Sequence, residues 1–471
     1  MVRTSVWPVI ATVFVCLQCQ SASVKAASRP NVVFFLSDDQ RADFMECAGH
    51  PILKTPTMDR LAANGVRFEN MFVTTSICAA SRATIFTGHY ERSHRFTFGT
   101  PPIRKELTAA SYPALLKKSG YRTGFVGKFG VQVHKSEQQT MFDFFRPLNR
   151  NPYFKTMPDG STRHVSEVAG DEAVKFLRGC KTDQPFCLSV SFNAVHAEDR
   201  DKINHYPWPK SVEGMYENVK IPPPRLSDPK VFDSQPEFLK KSMNRDRWYW
   251  RWDTSEKYER NVRAYYRMIT GMDNVMGRVL RQLKKLGFDK NTVVIFSGDN
   301  GYYKGARGFA GKWSHYEESL RVPLIIFDPR AKKSLRGKVD SHMVVNVDIP
   351  ATILGYAGTE IPNSYQGASL VPLMNDRAPD TWRSDFFCEH LMDHKSIPKY
   401  EGVRGERYVY ARYFEQQPAF EFLHDLKIDP DQLKNLANDP SHAAAMKKMR
   451  NRCDQLRDSY GGKYRPHKKK R

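Results

Sequence analysis

Three largely apolar runs, each ending in side chains that carry chemistry, restrict what this chain can fold into. Asn31-Val32-Val33-Phe34-Phe35-Leu36 leads into Ser37-Asp38-Asp39. Pro185-Phe186-Cys187-Leu188-Ser189-Val190-Ser191-Phe192 leads into Asn193-Ala194-Val195-His196. Asn291-Thr292-Val293-Val294-Ile295-Phe296 leads into Ser297-Gly298-Asp299-Asn300-Gly301. Runs of this kind read as strands buried on both faces, as in a sheet covered by helices. Such sheets place their sites at the carboxyl ends of the strands. Asp38, Asp39, Asp299 and Asn300 fall at such ends. Neighbouring carboxylates repel, which suggests a bound cation; an exposed acidic turn is the other reading of Asp38-Asp39. If the four meet, hard oxygen donors favour calcium, with magnesium the alternative, and argue against zinc. His196, taken alone, reads equally well as a satisfied core histidine.

Helices are expected between the strands. One starts at Thr55 or Thr57 and stops at Gly65. Others run from Tyr112 to Gly120, from about Ser166 to Leu177, and from about Glu256 to Leu286. Towards the C-terminus the pattern changes to short β-like runs at Asp385–Cys388 and Tyr408–Tyr413, then a helix around Ala443–Tyr460. A small antiparallel sheet with a terminal helix is expected there. The chain divides into residues 1–27, a main domain over 28–365 and a C-terminal subdomain over 366–471 with a basic tail.

Residues 1–27 read as an export signal: Arg3, an apolar stretch from Val6 to Leu17, then small residues to Ala27. A periplasmic or secreted protein is expected, and no later segment is long enough to span a membrane. Cys47, Cys78, Cys180, Cys187, Cys388 and Cys453 remain, which is not a disulfide framework. Cys180 and Cys187 either pair across a turn or stay separate.

Of the 471 residues, 73 are Lys or Arg and 51 are Asp or Glu, a formal charge of +22. That excess reads either as a basic solvated surface or as attraction to a polyanion. No zinc-finger, helix-turn-helix or RNA-recognition pattern is present, so no nucleic-acid partner is expected. Arg247-Trp248-Tyr249-Trp250-Arg251-Trp252 lies in a region broken by Pro207, Pro209 and Pro222–Pro224. It reads as a loop anchored by its tryptophans, or as a surface that stacks on sugar rings and holds anions.

One further stretch organises the rest: Ser76-Ile77-Cys78-Ala79-Ala80-Ser81-Arg82, then Thr87-Gly88. It is a polar turn entering a short helix, with Ser76 as N-cap. Cys78 is either an activated thiol at the helix start or a small buried hydrophobe. Cys78-x-Ala80-Ser81-Arg82 resembles the signature of type I sulfatases, of the alkaline-phosphatase-like superfamily, with Ala80 where Pro is commonest. In that family a separate maturation enzyme oxidises the Cys to formylglycine. The resemblance extends through Asp38-Asp39, Gly127-Lys128, Asn193–His196, Asp299-Asn300-Gly301, Gly311-Lys312, Tyr316–Pro323, Val344–Leu354 and Gln366–Leu370. It covers nearly the whole chain after residue 27.

The resemblance implies a large mixed sheet sandwiched by helices, with a smaller C-terminal α+β subdomain. It implies hydrolysis of a sulfate ester on a sugar of a sulfated glycan, such as a glycosaminoglycan. Formylglycine from Cys78 would be the nucleophile. Asp38, Asp39, Asp299 and Asn300 would hold a calcium or magnesium ion. Arg82, Lys128, His196 and Lys312 would neutralise the sulfate. Two departures stand out: Val195 for a Pro, and Gly130 where the family usually has a His, with His134 the nearest histidine. Glu389-His390 and Ile397-Pro398 through Arg404 resemble a carboxy-terminal segment of carbohydrate-directed sulfatases. There His390, His394 and Arg404 either border the sugar or make polar contacts between subdomains. The rivals are a phosphoester hydrolase of the same superfamily and a non-catalytic polyanion-binding homologue.

Overall fold

A computed structural model describes residues 1–2, 29–201 and 203–467. The expected export signal, beyond its first two residues, and the tail Lys468–Arg471 lie outside the described residues.

Eight strands form one sheet in the order Lys338–Asp340, Val66–Phe68, Leu324–Phe327, Thr292–Gly298, Asn31–Ser37, Phe186–Ser191, Arg122–Gly127, Phe144–Pro147. Leu324–Phe327 runs against both of its neighbours; the other pairings are parallel. All residues of Asn31–Ser37, Phe186–Ser191 and Thr292–Gly298 are buried. The alternation of a strand explains why both faces must be apolar. Val32, Phe34 and Leu36 pack into a core with the helices Cys78–Thr87, Tyr112–Lys118 and Asp348–Ala357. Val33 and Phe35 pack into a second core with Pro56–Asn64, Val165–Arg178 and the long helix Ser255–Lys285.

Register matters more than composition here. Leu36 lies opposite both Ser191 and Ser297, and Ser191 lies opposite Gly127. Four parallel strands therefore end level, and their outgoing loops emerge along one edge. Asp38-Asp39, Lys128, Asn193–His196 and Asp299-Asn300 are those loops.

The C-terminal part is a four-stranded antiparallel sheet, Asp385–His390, Tyr400–Gly405, Tyr408–Tyr413 and Phe420–Asp425, backed by the helix Ala443–Ser459. It is not a loose appendage. The Phe386 and Phe72 rings pack in a tilted pair with centroids 5.1 Å apart, and buried Arg92 donates to Glu389 Oε2 at 2.9 Å and to Glu401 Oε2 at 2.8 Å.

Several local expectations are corrected. Ser76 does not cap the helix, whose N-cap is Ile77. Its hydroxyl donates to Ser319 O at 2.6 Å and accepts from Ser319 Oγ at 2.8 Å. The tryptophan-rich segment is a helix, Met243–Arg251, rather than a loop. Of the two readings for Cys180 and Cys187, the structure has separate free thiols.

Thr55 occupies the N-cap position of Pro56–Asn64 but makes no capping bond. The cap comes from a distant element. Asp273, buried in the long helix, accepts Thr57 N at 2.9 Å on Oδ2 and Met58 N at 2.8 Å on Oδ1. Burial nonetheless pushes its carboxyl up to about 6. Replacing Asp273 by Ala strands two buried N–H groups. Chemical denaturation should then show a loss of about 1–3 kcal/mol, with the fold retained.

Candidate active site

Cys78 is the first residue of its helix, and all ten helix residues are buried. It opens onto a cavity of about 740 Å³, lined also by Lys128, His196 and Lys312. Three strand-end loops and one helix start are thereby brought to one point.

Carboxylates dominate beneath the thiol. Asp39 is held in the left-handed backbone region, φ 57°, and its N–H donates to Asp299 Oδ1 at 3.2 Å. Its carbonyl accepts Tyr265 OH at 2.6 Å. Asp299 N donates to Ser37 O at 3.0 Å. Asp38, Cys78 and Asp299 each bring one donor atom within 4.8 Å of the others; Asp38, Asp39 and His196 do the same.

Cations compensate these charges. Arg82, 1% exposed, donates through Nε to Asp299 Oδ2 at 2.9 Å and through Nη1 to Lys128 O at 2.7 Å and to Ser191 Oγ. Lys128 Nζ pairs with Asp38, and Lys312 Nζ with Asp39. His196 Nε2 lies 3.7 Å from Asp39 Oδ2.

The electrostatics follow. Burial alone would raise the Asp38 carboxyl, but Lys128, Arg82 and Lys312 outweigh it and hold it at about 2. Asp299 is pushed the other way, to about 6, by burial and by the charge of Asp38. Burial would lower Lys312, yet Asp39, Cys78, Asp38 and Asp299 keep it above its ordinary value, an ammonium at any neutral pH. Burial, then Arg150, Lys312 and Lys128, hold His196 well below its ordinary value, so its ring is neutral.

The donor set suits a hard cation. Asp38 Oδ1 and Asn300 Oδ1 are buried oxygens with no partner among the described residues. Asn300 spends its amide nitrogen on Asp39 Oδ1 at 2.7 Å and Gly301 O at 2.9 Å. With Asp39 and Asp299 these oxygens make the all-oxygen set that calcium or magnesium takes. Asp38, Asp39 and Asp299 are thus a candidate acidic metal site.

Nine sequence-predicted residues meet here: Asp38, Asp39, Cys78, Arg82, Lys128, His196, Asp299, Asn300 and Lys312. Two do not. Arg404 lies in a separate cavity of about 500 Å³, donating to Glu317 Oε1 at 3.0 Å with its guanidinium 4.5 Å from the Phe72 ring centroid. His390 is fully buried in its strand, and neither ring nitrogen has a partner among the described residues. Of the three residues read as bordering the sugar or as polar contacts between subdomains, His394 lines the cavity, whereas Arg404 pairs with Glu317 of the main domain. His134 is not among the lining residues. Sequence reading missed Arg150, Asp199 and Trp313, which do line it. Arg150 and Asp199 sit just past the strand ends Pro147 and Ser191, so the strand-end rule was the signal available.

Gly130 has a physical reason. Its φ is +71°, and a Cβ there would stand 2.5 Å from Arg82 Cδ. A side chain at this position and the present Arg82 placement exclude each other. Gly130→Ala adds left-handed backbone strain of about 1–2 kcal/mol and displaces Arg82 from Asp299. Steady-state kinetics on the matured protein should show kcat reduced at least about ten-fold, while the melting temperature falls only modestly.

A family model described as "Sulfatase" matches residues 30–359, and one described as "N-sulphoglucosamine sulphohydrolase, C-terminal" matches residues 305–459. The chain is 26% identical over 511 residues to an N-acetylglucosamine-6-O-sulfatase of Bacteroides thetaiotaomicron, covering 94% of this chain and 88% of that protein. It is 27% identical to an arylsulfatase of Clostridium perfringens, covering 87% and 90%. Among solved structures, a protein in complex with its substrate D-glucosamine-2-N,6-O-disulfate superimposes with a TM-score of 0.78 at 24% identity, covering 92% of this chain and 98% of that one. A phosphonate monoester hydrolase from Silicibacter pomeroyi gives 0.76 at 21%, covering 92% and 96%. With the family model spanning most of the described chain and the site assembled at the sheet edge, this protein belongs to the sulfatase family.

Proposed function

We propose that this sulfatase removes sulfate from a sugar of a sulfated glycan, with Cys78 matured to formylglycine as nucleophile. The observation that carries the reading is Cys78 at the helix start, at the junction of an all-oxygen cation site and the ammonium groups of Lys128 and Lys312. The hydrated aldehyde is a geminal diol. One hydroxyl attacks sulfur, the S–O bond to the sugar breaks, and the sugar leaves as an alcohol on taking a proton. The second hydroxyl then loses its proton, the aldehyde C=O reforms, and sulfate is expelled; water rehydrates the aldehyde.

The chain's own residues fit these steps. Asp38, Asp39, Asp299 and Asn300 would hold the cation, which when bound supplies positive charge beside the sulfate oxygens. Lys128 and Lys312 face the same oxygens from the cavity wall. His196, its ring neutral, is placed to hydrogen-bond at the sugar oxygen as the bond breaks, and the proton the sugar takes is the one the attacking hydroxyl gives up. Arg82, anchored on Asp299 and Ser191, fixes the helix start that carries residue 78. Maturation requires a formylglycine-generating enzyme as partner, and the proposed location is exported, periplasmic or secreted. Among the described residues no helix is long and apolar enough to cross a membrane. The similarity of the chain to N-acetylglucosamine-6-O-sulfatase makes sulfated glucosamine the first sugar to try.

Hydrolysis of aryl sulfate, aryl phosphate and glucosamine 6-O-sulfate by matured protein tests this. Sulfate-ester turnover should exceed phosphate turnover, and Cys78→Ala should remove at least about a thousand-fold of it. Chelation should abolish turnover and calcium or magnesium should restore it. Preferred phosphate turnover would favour the phosphoester reading; binding of sulfated glycan without turnover by fully matured protein would favour the polyanion-binding one.

A further inference from the structure

The cavity over Cys78 carries more positive charge than one sulfate needs. Lys128 and Lys312 are tied to Asp38 and Asp39. A second group lines the same cavity. Asp199 is the one acidic residue among the described lining residues, and three arginines converge on it. Arg150 Nη2 lies 3.3 Å from Asp199 Oδ2, Arg247 Nη2 lies 3.5 Å from the same oxygen, and Arg251 pairs with Oδ1. One carboxylate thus faces three guanidinium groups, an excess of two positive charges.

The three are not equivalent. Arg251 is fully buried, holds Asp199 from behind and reaches Tyr302 OH at 3.4 Å. Arg150 and Arg247 line the cavity; Arg150 Nη2 donates to Asp199 Oδ2 at 3.3 Å and its Nε to Asn151 Oδ1 at 3.0 Å, whereas Arg247 reaches Asp199 only at 3.5 Å. Arg247 Nε is buried without a partner among the described residues. The Arg247 guanidinium lies 4.9 Å from the ring centroid of Trp313, another lining residue, which fixes its plane. Arg150 also donates to the His196 ring, 3.0 Å from Nε2. A planar fork with spare donors, pre-oriented by a ring and by an anchoring carboxylate, is the arrangement that binds sulfate or carboxylate in bidentate fashion.

We infer that Arg247 and Arg150, held by Asp199, form a second anion subsite, so that the preferred substrate is a saccharide carrying another anionic group beside the sulfate to be removed. The inference rests on the sulfated-glycan reading and adds to it the charge pattern of the sugar. The second anion is a further sulfate on the same sugar or the carboxylate of an adjoining uronic acid; both present the same oxygens to the fork.

Binding to Cys78→Ala protein tests the subsite without turnover. Titration calorimetry would compare glucosamine 6-O-sulfate, glucosamine carrying N- and 6-O-sulfates, and a 6-O-sulfated glucosamine joined to a uronic acid. At least one doubly anionic ligand should bind about ten-fold or more tighter than the singly sulfated one. Arg247→Gln, made in the same background, should shrink that gap to less than about three-fold, and Arg247→Lys should restore part of it. Which ligand gains identifies the second anion. Equal affinity for all three, or a gap untouched in a folded Arg247→Gln protein, would overturn the inference. Turnover of aryl sulfate without any such gap removes the subsite and leaves the hydrolase reading standing. A gap in protein that hydrolyses no sulfate ester keeps the subsite and removes the hydrolase reading.

Discussion

Three carboxylates buried at the ends of two adjacent parallel strands set the terms for everything around them. Asp38, Asp39 and Asp299 are each no more than 1% exposed. Unpaired, such charges would not tolerate burial. Arg82, Lys128 and Lys312 balance them from three other segments of the chain, and those segments are fixed in consequence. Removing one partner from a buried pair typically costs about 3–5 kcal/mol, so the site is also a structural tie. The same balance leaves Asp38 Oδ1 and Asn300 Oδ1 without partners. Burying polar oxygens with nothing to bond them is costly unless they serve a ligand, and here they point to a hard cation.

The C-terminal sheet closes the cavity. Met392, His394 and Ile397, in the loop after Asp385–His390, form part of its wall. That loop is pinned to the main domain: Met243 N donates to Ser396 O at 2.8 Å, and Tyr400 OH donates to Ser314 O at 2.9 Å. Met243 begins the helix that carries Arg247 and Arg251, so one wall of the cavity is held by both parts of the molecule.

Much of this was legible in the sequence, and the limits are physical. The buried strands announced themselves by apolar runs, and the strand-end carboxylates by their position. The long helix Ser255–Lys285 and the terminal antiparallel sheet matched their periodic signals. Contacts between distant segments were not legible. Ser76 is drawn from its cap by Ser319, and Thr57 and Met58 are capped by Asp273; neither partner is near in sequence. The Met243–Arg251 helix was obscured because its tryptophans alternate with arginines and give no clean apolar face. His390 and Arg404 looked like a pair, yet His390 lies opposite Tyr400 and Arg404 opposite Phe386. Four residues of strand separate those positions, about 13 Å, so one sugar site does not follow from their proximity in sequence. Arg150 and Asp199 come from two loops and Arg247 from a helix, and only the fold brings them together.

Cys78 is the hinge of the functional reading, and its chemical state is the most direct measurement. Protein coexpressed with a formylglycine-generating enzyme would be digested, and the peptide containing residue 78 weighed by mass spectrometry. The expected result is the mass of an aldehyde, or its hydrate, in place of the thiol, in proportion to sulfate-ester turnover across preparations. A peptide that keeps the Cys78 thiol, under conditions that convert a control sulfatase, would contradict a formylglycine mechanism for this chain.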